Sequence, residues 1–404
     1  MKNYIPLTLL IIILTGCLNK SEKMNQNQDS IETISVDIRN HKLETDISFM
    51  VDTSYFEIIP LETNKECLIA EIKNIYFSND KIIIYDEMAK GAYIFNRDGS
   101  YHAKVRAVGQ GPGEYPAFVN DIAVSENYII VLTPPGIMLY DFNGKFVKTV
   151  SLHNLWGRSI ITFDEINFFL VNDWSMTFNA DKKIFYHLFK IDSKQNRVYY
   201  YLPFSKKDID SGKGWSLATY RNVYNNNALI YYSTIDTIFN LTSSGEVSPK
   251  YAIDIVHNKL PDALRTGDGF TAMRSAQQNG YVMGVKNVSE TSRYLILKLN
   301  AGNHLIYDKK EKETVAIGSF FRIPSFWNIG INIDFSLKEG DYIVHYISGD
   351  NAYGGKKDIE EEKAKKRWTK GEGTNPFERE FFKVLKNIED GEDNPVLFVF
   401  KLRE

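Results

Sequence analysis

Five residues carry oxygen donors that could hold a metal ion and fall near the ends of predicted strands: Asn120, Asp121, Asp164, Glu165 and Asp334. Carboxylate and amide oxygens so placed suit a hard divalent cation such as calcium. The competing use is commoner: an acid at a strand end accepts hydrogen bonds from turn N–H groups. Zinc has no support, because the histidines are scattered and form no H-x-H or H-E-x-x-H pattern. Four tryptophans, Trp156, Trp174, Trp215 and Trp327, stand in loop-like contexts (N-L-W-G-R, N-D-W-S, K-G-W-S and F-W-N). On a loop, such rings could stack on a sugar or hold a peptide; packed between sheets they would only fill space. Arg158 and Arg221, near two of these loops, could bind an anionic group or be solvated. Nucleophilic catalysis has no footing, since there is no G-x-S-x-G and no Ser/His/Asp set follows from spacing.

A glycine-rich run, R-A-V-G-Q-G-P-G-E-Y, holds Gly109, Gly111, Pro112, Gly113, Glu114 and Tyr115. A phosphate-cradling loop would lead into a helix N-terminus and carry a Lys and a Ser or Thr. Here a strand-like run follows and neither residue is present. The favoured reading is a tight crossover joining two structural units, with Glu114 bonding nearby backbone or Arg106.

The elements that would position these residues are strands in a repeat. I-I-I-Y-D, A-Y-I-F-N and the turn at Asp98-Gly99 precede the glycine run; D-I-A-V, Y-I-I-V-L, I-M-L-Y-D-F and the turn at Asn143-Gly144 follow it. The two turn glycines, Gly99 and Gly144, are 45 residues apart, a spacing in the range of four-stranded propeller blades. Weaker copies follow: strands over 165–172, 186–192 and 197–203; over 222–232, 235–242 and 247–255; over 293–299, 304–308 and 314–318; and a sixth begun by 332–337 and 342–347. A polar, partly helical insertion spans 257–286, and a second, helical one spans 350–391. Within the latter, Asn375-Pro376-Phe377-Glu378 has the form of a helix start, and Phe377, Phe381, Leu385 and Ile388 make an apolar stripe. The chain ends on N-P-V-L-F-V-F-K-L, and pairing of this strand with Tyr55–Leu61 would close a ring and remove its exposed edges.

The first residues address the chain. Lys2 precedes an apolar run, Ile5–Leu14, too short to span a bilayer, and L-T-G-C follows, ending at Cys17. This resembles the lipobox of bacterial lipoproteins, which implies residues 1–16 as signal peptide and lipid on Cys17. Residues 17–50 then read as the lipidated Cys and a flexible polar tether. With Cys17 lipidated, Cys67 has no disulfide partner and reads as a buried structural thiol. Net charge is −3 with acids and bases mixed, so no nucleic-acid partner is expected.

The lipobox, F-E-I-I-P-L-E-T, I-I-I-Y-D, G-Q-G-P-G-E-Y, Y-D-F-N-G-K-F and the closing N-P-V-L-F-V-F-K-L together resemble the six-bladed β-propeller lipoproteins of Bacteroidetes, similar in shape to NHL-repeat propellers. The resemblance implies an all-β, six-bladed β-propeller of four-stranded antiparallel blades over 51–404, with a helical insertion before the closing strand. It also implies the cell envelope, with anchorage in the outer membrane and either leaflet open. It implies no general activity and no catalytic residues. The expectation is a ligand-binding or scaffolding module with a glycan or peptide at the mouth of the central channel. Two alternatives stay open: a hydrolase or lyase with a channel metal, and a structural partner in an envelope protein complex.

Overall fold

Isoleucines and aromatics run without alternation through I-I-I-Y-D, a pattern that requires cover on both faces of the sheet. The computed structural model describes residues 31–37, 44–134, 136–172, 186–204, 218–224, 226–232, 235–265, 269–299, 304–323, 327–332, 336–338, 341–364 and 376–404. Its strands form six antiparallel blades in a ring. The first blade is β4 (Ile72–Ser78), β5 (Lys81–Asp86), β6 (Gly91–Asn96) and β7 (Tyr101–Val105). The second is β8 (Asp121–Val124), β9 (Ile129–Thr133), β10 (Gly136–Tyr140) and β11 (Phe146–Val150); the third is β12 (Ser159–Thr162), β13 (Asn167–Val171), β14 (Tyr186–Asp192) and β15 (Arg197–Pro203). The fourth is β16 (Ala218–Tyr224), β17 (Asn227–Tyr232), β18 (Ile235–Thr242) and β19 (Val247–Ile255). The fifth is β20 (Val285–Glu290), β21 (Tyr294–Leu299), β22 (His304–Asp308) and β23 (Glu313–Ile323), with β24 (Trp327–Asn332) folded back on β23.

The sixth blade is completed by both ends of the described chain. β25 (Ser336–Lys338), β26 (Tyr342–Ile347) and β27 (Val396–Leu402) come from the C-terminal end, and β3 (Val51–Pro60) supplies the outer strand. β27 and β3 are antiparallel, with Phe400 opposite Phe56 and Val396 opposite Pro60. This is the ring closure expected from the sequence. Between β26 and β27 lie α3 (Gly349–Ala364) and α4 (Pro376–Asn387).

One apolar cluster fills each gap between neighbouring blades. Alternate residues of a single strand feed two gaps: Ile82 and Ile84 pack toward the sixth blade, while Ile83 and Tyr85 pack toward the second. The gap between the fifth and sixth blades is wider in content, because Phe377, Phe381, Phe382 and Leu385 of α4 pack there against Phe398 and Phe400. Each turn glycine fits against the blade before it. Gly99 has φ +88° and Gly144 φ +77°, and a Cβ would meet the Pro60 carbonyl oxygen at 2.1 Å in the first case and the Lys104 carbonyl oxygen at 2.3 Å in the second. Both positions therefore require glycine twice over, for conformation and for space.

The N-terminal part departs from the expected tether. β1 (Glu32–Val36) adds parallel to β19, and β2 (Glu44–Asp46) adds parallel to β23. Ile34, Val36, Ile47 and Met50 are buried, so Glu32–Val36 and Glu44–Asp46, within the span expected as tether, form a strap on the rim of the ring. The physical reason is in E-T-I-S-V, where apolar and polar residues alternate with the period of a half-buried strand. Cys17 and the rest of the expected signal peptide lie outside the described residues.

A chain begun at Glu32 should unfold at the same temperature as one begun at Cys17, whereas a chain begun at Val51 should unfold about 5 °C lower, having lost the buried strap residues. Equal midpoints for all three in a calorimetric scan would show that the strap adds no stability.

Candidate functional site

The antiparallel order within each blade sorts its connections between two faces of the ring. Blade-to-blade crossovers and the loops between second and third strands lie on one face, here the mouth face. The tight turns between first and second strands, and between third and fourth, lie on the other, the turn face. First strands are the inner ones: the Tyr76 hydroxyl on β4 donates to the Ile122 carbonyl on β8 at 2.5 Å, and the Ile160 N–H at the start of β12 donates to Asp121 Oδ2 at 3.1 Å.

Two neighbouring crossovers, the first to the second blade and the second to the third, are tied to each other at the mouth. The first, residues 106–120, contains the glycine run and folds around Glu114 and Tyr115. Glu114 Oε2 accepts the Gly111 N–H at 2.7 Å. The Tyr115 backbone pairs with Ala107 and Gly109, and its buried hydroxyl donates to the Lys90 carbonyl at 2.9 Å. Burial pushes the Tyr115 phenol up to about 12, so it remains a neutral donor. The Gly113 carbonyl accepts from the Tyr140 hydroxyl at 2.8 Å, which fixes the loop to the second blade. This places Gly109, Gly111, Pro112, Gly113, Glu114 and Tyr115 in the connection from β7 to β8.

At the end of that crossover, Phe118 is 55% exposed and stacks on Trp156 of the second crossover, with ring centroids 5.9 Å apart at 29°. Thr133 Oγ1 donates to the Phe118 carbonyl at 3.0 Å, and Asn120 Nδ2 donates to the Gly157 carbonyl at 2.6 Å. The two loops are thus locked to each other and to their blades, leaving an aromatic ledge whose outer ring faces solvent. Arg158 is exposed two residues beyond Trp156, and its backbone N–H donates to the Val171 carbonyl.

The four described candidate metal ligands fall in two pairs on different faces of the ring. Asn120 and Asp121 sit at the mouth-face end of β8, where each ties the second blade to the third. Asp164 and Glu165 follow β12 on the turn face. Asp164 Oδ1 accepts the N–H groups of Ile166 and Asn167, and Glu165 accepts from the Asn127 amide at 2.6 Å. Among the described residues there is no group of three or more His, Cys, Asp or Glu side chains placed to hold a metal ion. Asp334, Trp174 and Trp215 lie outside the described residues. Arg221 is in β16 opposite Leu229, and Trp327 opens β24 opposite Ile323, neither on the described crossovers.

A third part of the mouth face lies over the fourth blade. The insertion carries α1 (Asp262–Arg265) and α2 (Gly269–Asn279), with Leu260, Ala272, Ala276 and Met283 as a small core of its own. It is held down by Asp236 at the start of β18, which accepts two bonds from Arg265 (2.8 and 2.5 Å) and one from Lys259 at 2.6 Å. Burial alone would raise the Asp236 carboxyl, but the two cations outweigh it and hold it below the usual range. Phe270 and Met273, one turn apart on α2, are 67% and 40% exposed.

Sequence reasoning missed Phe118 and the Asp236 clamp. From sequence, 118–124 reads as one strand with D-I-A-V at its end, so the Phe118 ring reads as packing; the strand in fact starts three residues later, at Asp121. Asp236 and Arg265 are separated by the rest of β18, a turn, β19 and a loop, and no spacing rule links them.

A family model described as Domain of unknown function (DUF4934) matches residues 31–401. The chain belongs to the DUF4934 family. This DUF4934 chain is similar to the crystal structure of a Bacteroides fragilis NCTC 9343 protein described as exported, with a TM-score of 0.65 and 17% identity over 92% of this chain and 100% of that one. It is also similar to a member of the duf4221 family from Bacteroides vulgatus (TM-score 0.46, 10% identity, 87% of this chain and 97% of that one). A further likeness is to a virginiamycin B lyase from Staphylococcus aureus (TM-score 0.37, 13% identity, 65% of this chain and 74% of that one). The last two carry no argument about chemistry. No curated protein matches the sequence. Among the described residues no helix is long and apolar enough to cross a membrane.

One titratable group, His187, is buried behind the mouth. His187 on β14 stacks on Phe204 at 3.5 Å and lies 4.2 Å from the Tyr232 ring. Burial lowers it to about 3, so it is neutral at any working pH. In the unfolded chain it titrates near 6.5, so between pH 6.5 and 3 the unfolded state binds the extra proton. Stability is therefore complete above about 6.5 and falls as pH drops. Lowering the pH from 7 to 5 should cost the native protein about 2 kcal/mol that a His187→Phe or His187→Gln variant does not lose. Urea unfolding at the two pH values measures this, and equal losses in native protein and variants would refute it.

Proposed function

We propose that this chain is a lipid-anchored propeller of the cell envelope, held through Cys17, that acts as a ligand-binding or scaffolding module at the mouth of its channel. The observation that carries the reading is the solvent-facing Phe118–Trp156 stack on two crossovers locked to each other. A stacked, pre-positioned aromatic pair offers a flat apolar surface at little entropic cost, which suits the face of a sugar ring or an apolar side chain of a peptide. Met88, Val108 and Leu68, exposed on neighbouring mouth-face loops, extend the apolar character of this side of the ring. The acids near the mouth are engaged in holding the frame, which favours binding over metal-assisted hydrolysis. The description of the Bacteroides fragilis relative as an exported protein supports an envelope address read from the lipobox.

The test is thermal unfolding of the soluble chain with panels of glycans and peptides, and with EDTA or calcium. A ligand at about 100 times its Kd should raise the midpoint by about 3 °C, and Phe118→Ala with Trp156→Ala should abolish that rise without lowering the unliganded midpoint by a similar amount. A rise that survives the double substitution would move the site elsewhere. A fall with EDTA that calcium restores would replace the binding reading with the metal-dependent one.

A further inference from the structure

The outer strands of the blades form the circumference of the ring, and each is an edge that must be blunted or covered. Three are blunted. β7, β11 and β3 each show a register shift against the strand inside them, the mark of a bulge, and β7 and β11 also carry Lys104 and Lys148. Two are covered by the strap. β1 adds along Tyr251–Ile255 of β19, past the register shift in that strand, and β2 adds to β23, whose ladder with β22 has no shift. β15 is treated in neither way. Its pairing with β14 runs in register from Arg197 opposite Asp192 to Tyr201 opposite Leu188, and it holds no lysine. Among the described residues it pairs with β14 alone. Leu202, at φ +52°, and Pro203 end the regular stretch, which leaves Arg197–Tyr201 as a bulge-free edge as long as β1.

We propose that this edge is a docking site for an extended segment of a partner protein, added as a further strand of the third blade. The segment has alternating apolar side chains and an acidic residue at the end that meets Arg197. The strap is the precedent within this chain: E-T-I-S-V is extended, alternating and led by an acid, and it lies on β19 with Glu32 paired to Lys312. The side chains along β15 suit such a segment. Tyr199 and Tyr200 point to opposite faces of the blade and are 37% and 45% exposed. Tyr200 packs on the rings of Tyr186 at 5.1 Å and Phe189 at 5.8 Å, and Lys190 Nζ lies 5.6 Å from the centre of the Tyr199 ring. Both tyrosines are thus placed to flank apolar side chains of an added strand, whose main chain would take up the outward N–H and C=O groups of β15. Charge selects the end. Lys194 and Arg197 are exposed where the edge begins, while Asp192 of the same hairpin is buried and accepts the Gln195 N–H. A segment running parallel to β15, as β1 runs to β19, sets its leading acid beside Arg197. The edge is on the circumference, apart from the Phe118–Trp156 ledge, so it does not depend on the function proposed above.

The probe is a synthetic peptide that copies the strap, I-E-T-I-S-V-D (Ile31–Asp37), with a fluorophore at one end and a benzophenone at the other. Anisotropy titration of the soluble chain should show saturable binding, and photocrosslinks mapped by mass spectrometry should fall on β15. Tyr199→Lys with Tyr200→Lys should weaken binding about tenfold. Tyr199→Thr with Tyr200→Thr, which keeps strand propensity and so guards against a disturbed blade, should weaken it about threefold. Thr149→Lys on the bulged β11 should change nothing. A peptide with Glu32→Lys and Asp37→Lys should bind about threefold more weakly than the parent. Three results would each overturn the proposal: no saturable binding at millimolar peptide, affinity unchanged in both tyrosine double variants, or crosslinks confined to β19, which would mean exchange with the strap. A concentration-dependent dimer in sedimentation that the lysine double variant loses, and that the peptide fails to dissociate, would assign the edge to a second copy of this chain instead.

Discussion

Burial of both faces of every blade is the constraint on which the rest of this structure depends. A four-stranded sheet with two apolar faces has no stable existence alone, because each uncovered face would leave a row of isoleucines and aromatics in water. The blades solve this only collectively, and only if the ring closes. The last blade therefore has to be shared between the two ends of the fold, with β27 and β3 pairing over Val396–Leu402. The gap between the fifth and sixth blades is filled by phenylalanines from α4, so the helical insertion acts as part of the core rather than as an appendage.

That same constraint decides what the polar residues near the mouth are for. Crossovers must be held at fixed height and angle if neighbouring blades are to meet, and the buried polar groups do the holding. Asn120 and Asp121 join the second blade to the third. Asn394 accepts the Ile69 N–H and donates to the Glu62 and Cys67 carbonyls, which joins the helical insertion to the crossover into the first blade. Asp236 holds the insertion over the fourth. Asp236 has both carboxylate oxygens committed to the frame, and a carboxylate so committed is a poor candidate for acid–base work.

The fold was legible because its strongest signals are local. Turn glycines at a regular interval and uninterrupted apolar runs both survive in a single sequence, as does the terminal strand that needs a partner. What was illegible follows from the inner strands. β12 is four residues, S-I-I-T, and stands unassigned before the predicted strand 165–172; β20 falls almost wholly between the insertion 257–286 and the predicted strand 293–299; β16 and β17 overlap one predicted strand, 222–232, because no glycine or proline stands between them. Short strands against the channel are buried by their neighbours rather than by their own sheet alone, so they carry no alternation to read. The strap was missed for a different reason: parallel addition to an outer edge needs only a few alternating residues, and E-T-I-S-V is indistinguishable from a tether until the edge it joins is known. Of the site, the glycine run could be read as a crossover, whereas the Phe118–Trp156 stack joins two loops 38 residues apart by a contact that no motif encodes.

A closed ring also separates the demands on its two faces. The turn face is built of tight reversals whose glycines and aspartates are fixed by backbone geometry, as at Gly99 and Gly144, and it leaves little freedom for side chains that do something else. The crossovers on the mouth face are longer and are fixed at a few polar ties, so residues between the ties are free of structural duty. Phe118 stands between Tyr115, which anchors the loop to the first blade, and Asn120, which anchors it to the third. An exposed aromatic at such a position gains nothing for the fold by its exposure, and burial of its outer ring by a partner would recover apolar area that the folded chain alone leaves in water. The physical asymmetry between the faces, more than any single residue, is what favours the mouth for the recognition proposed above.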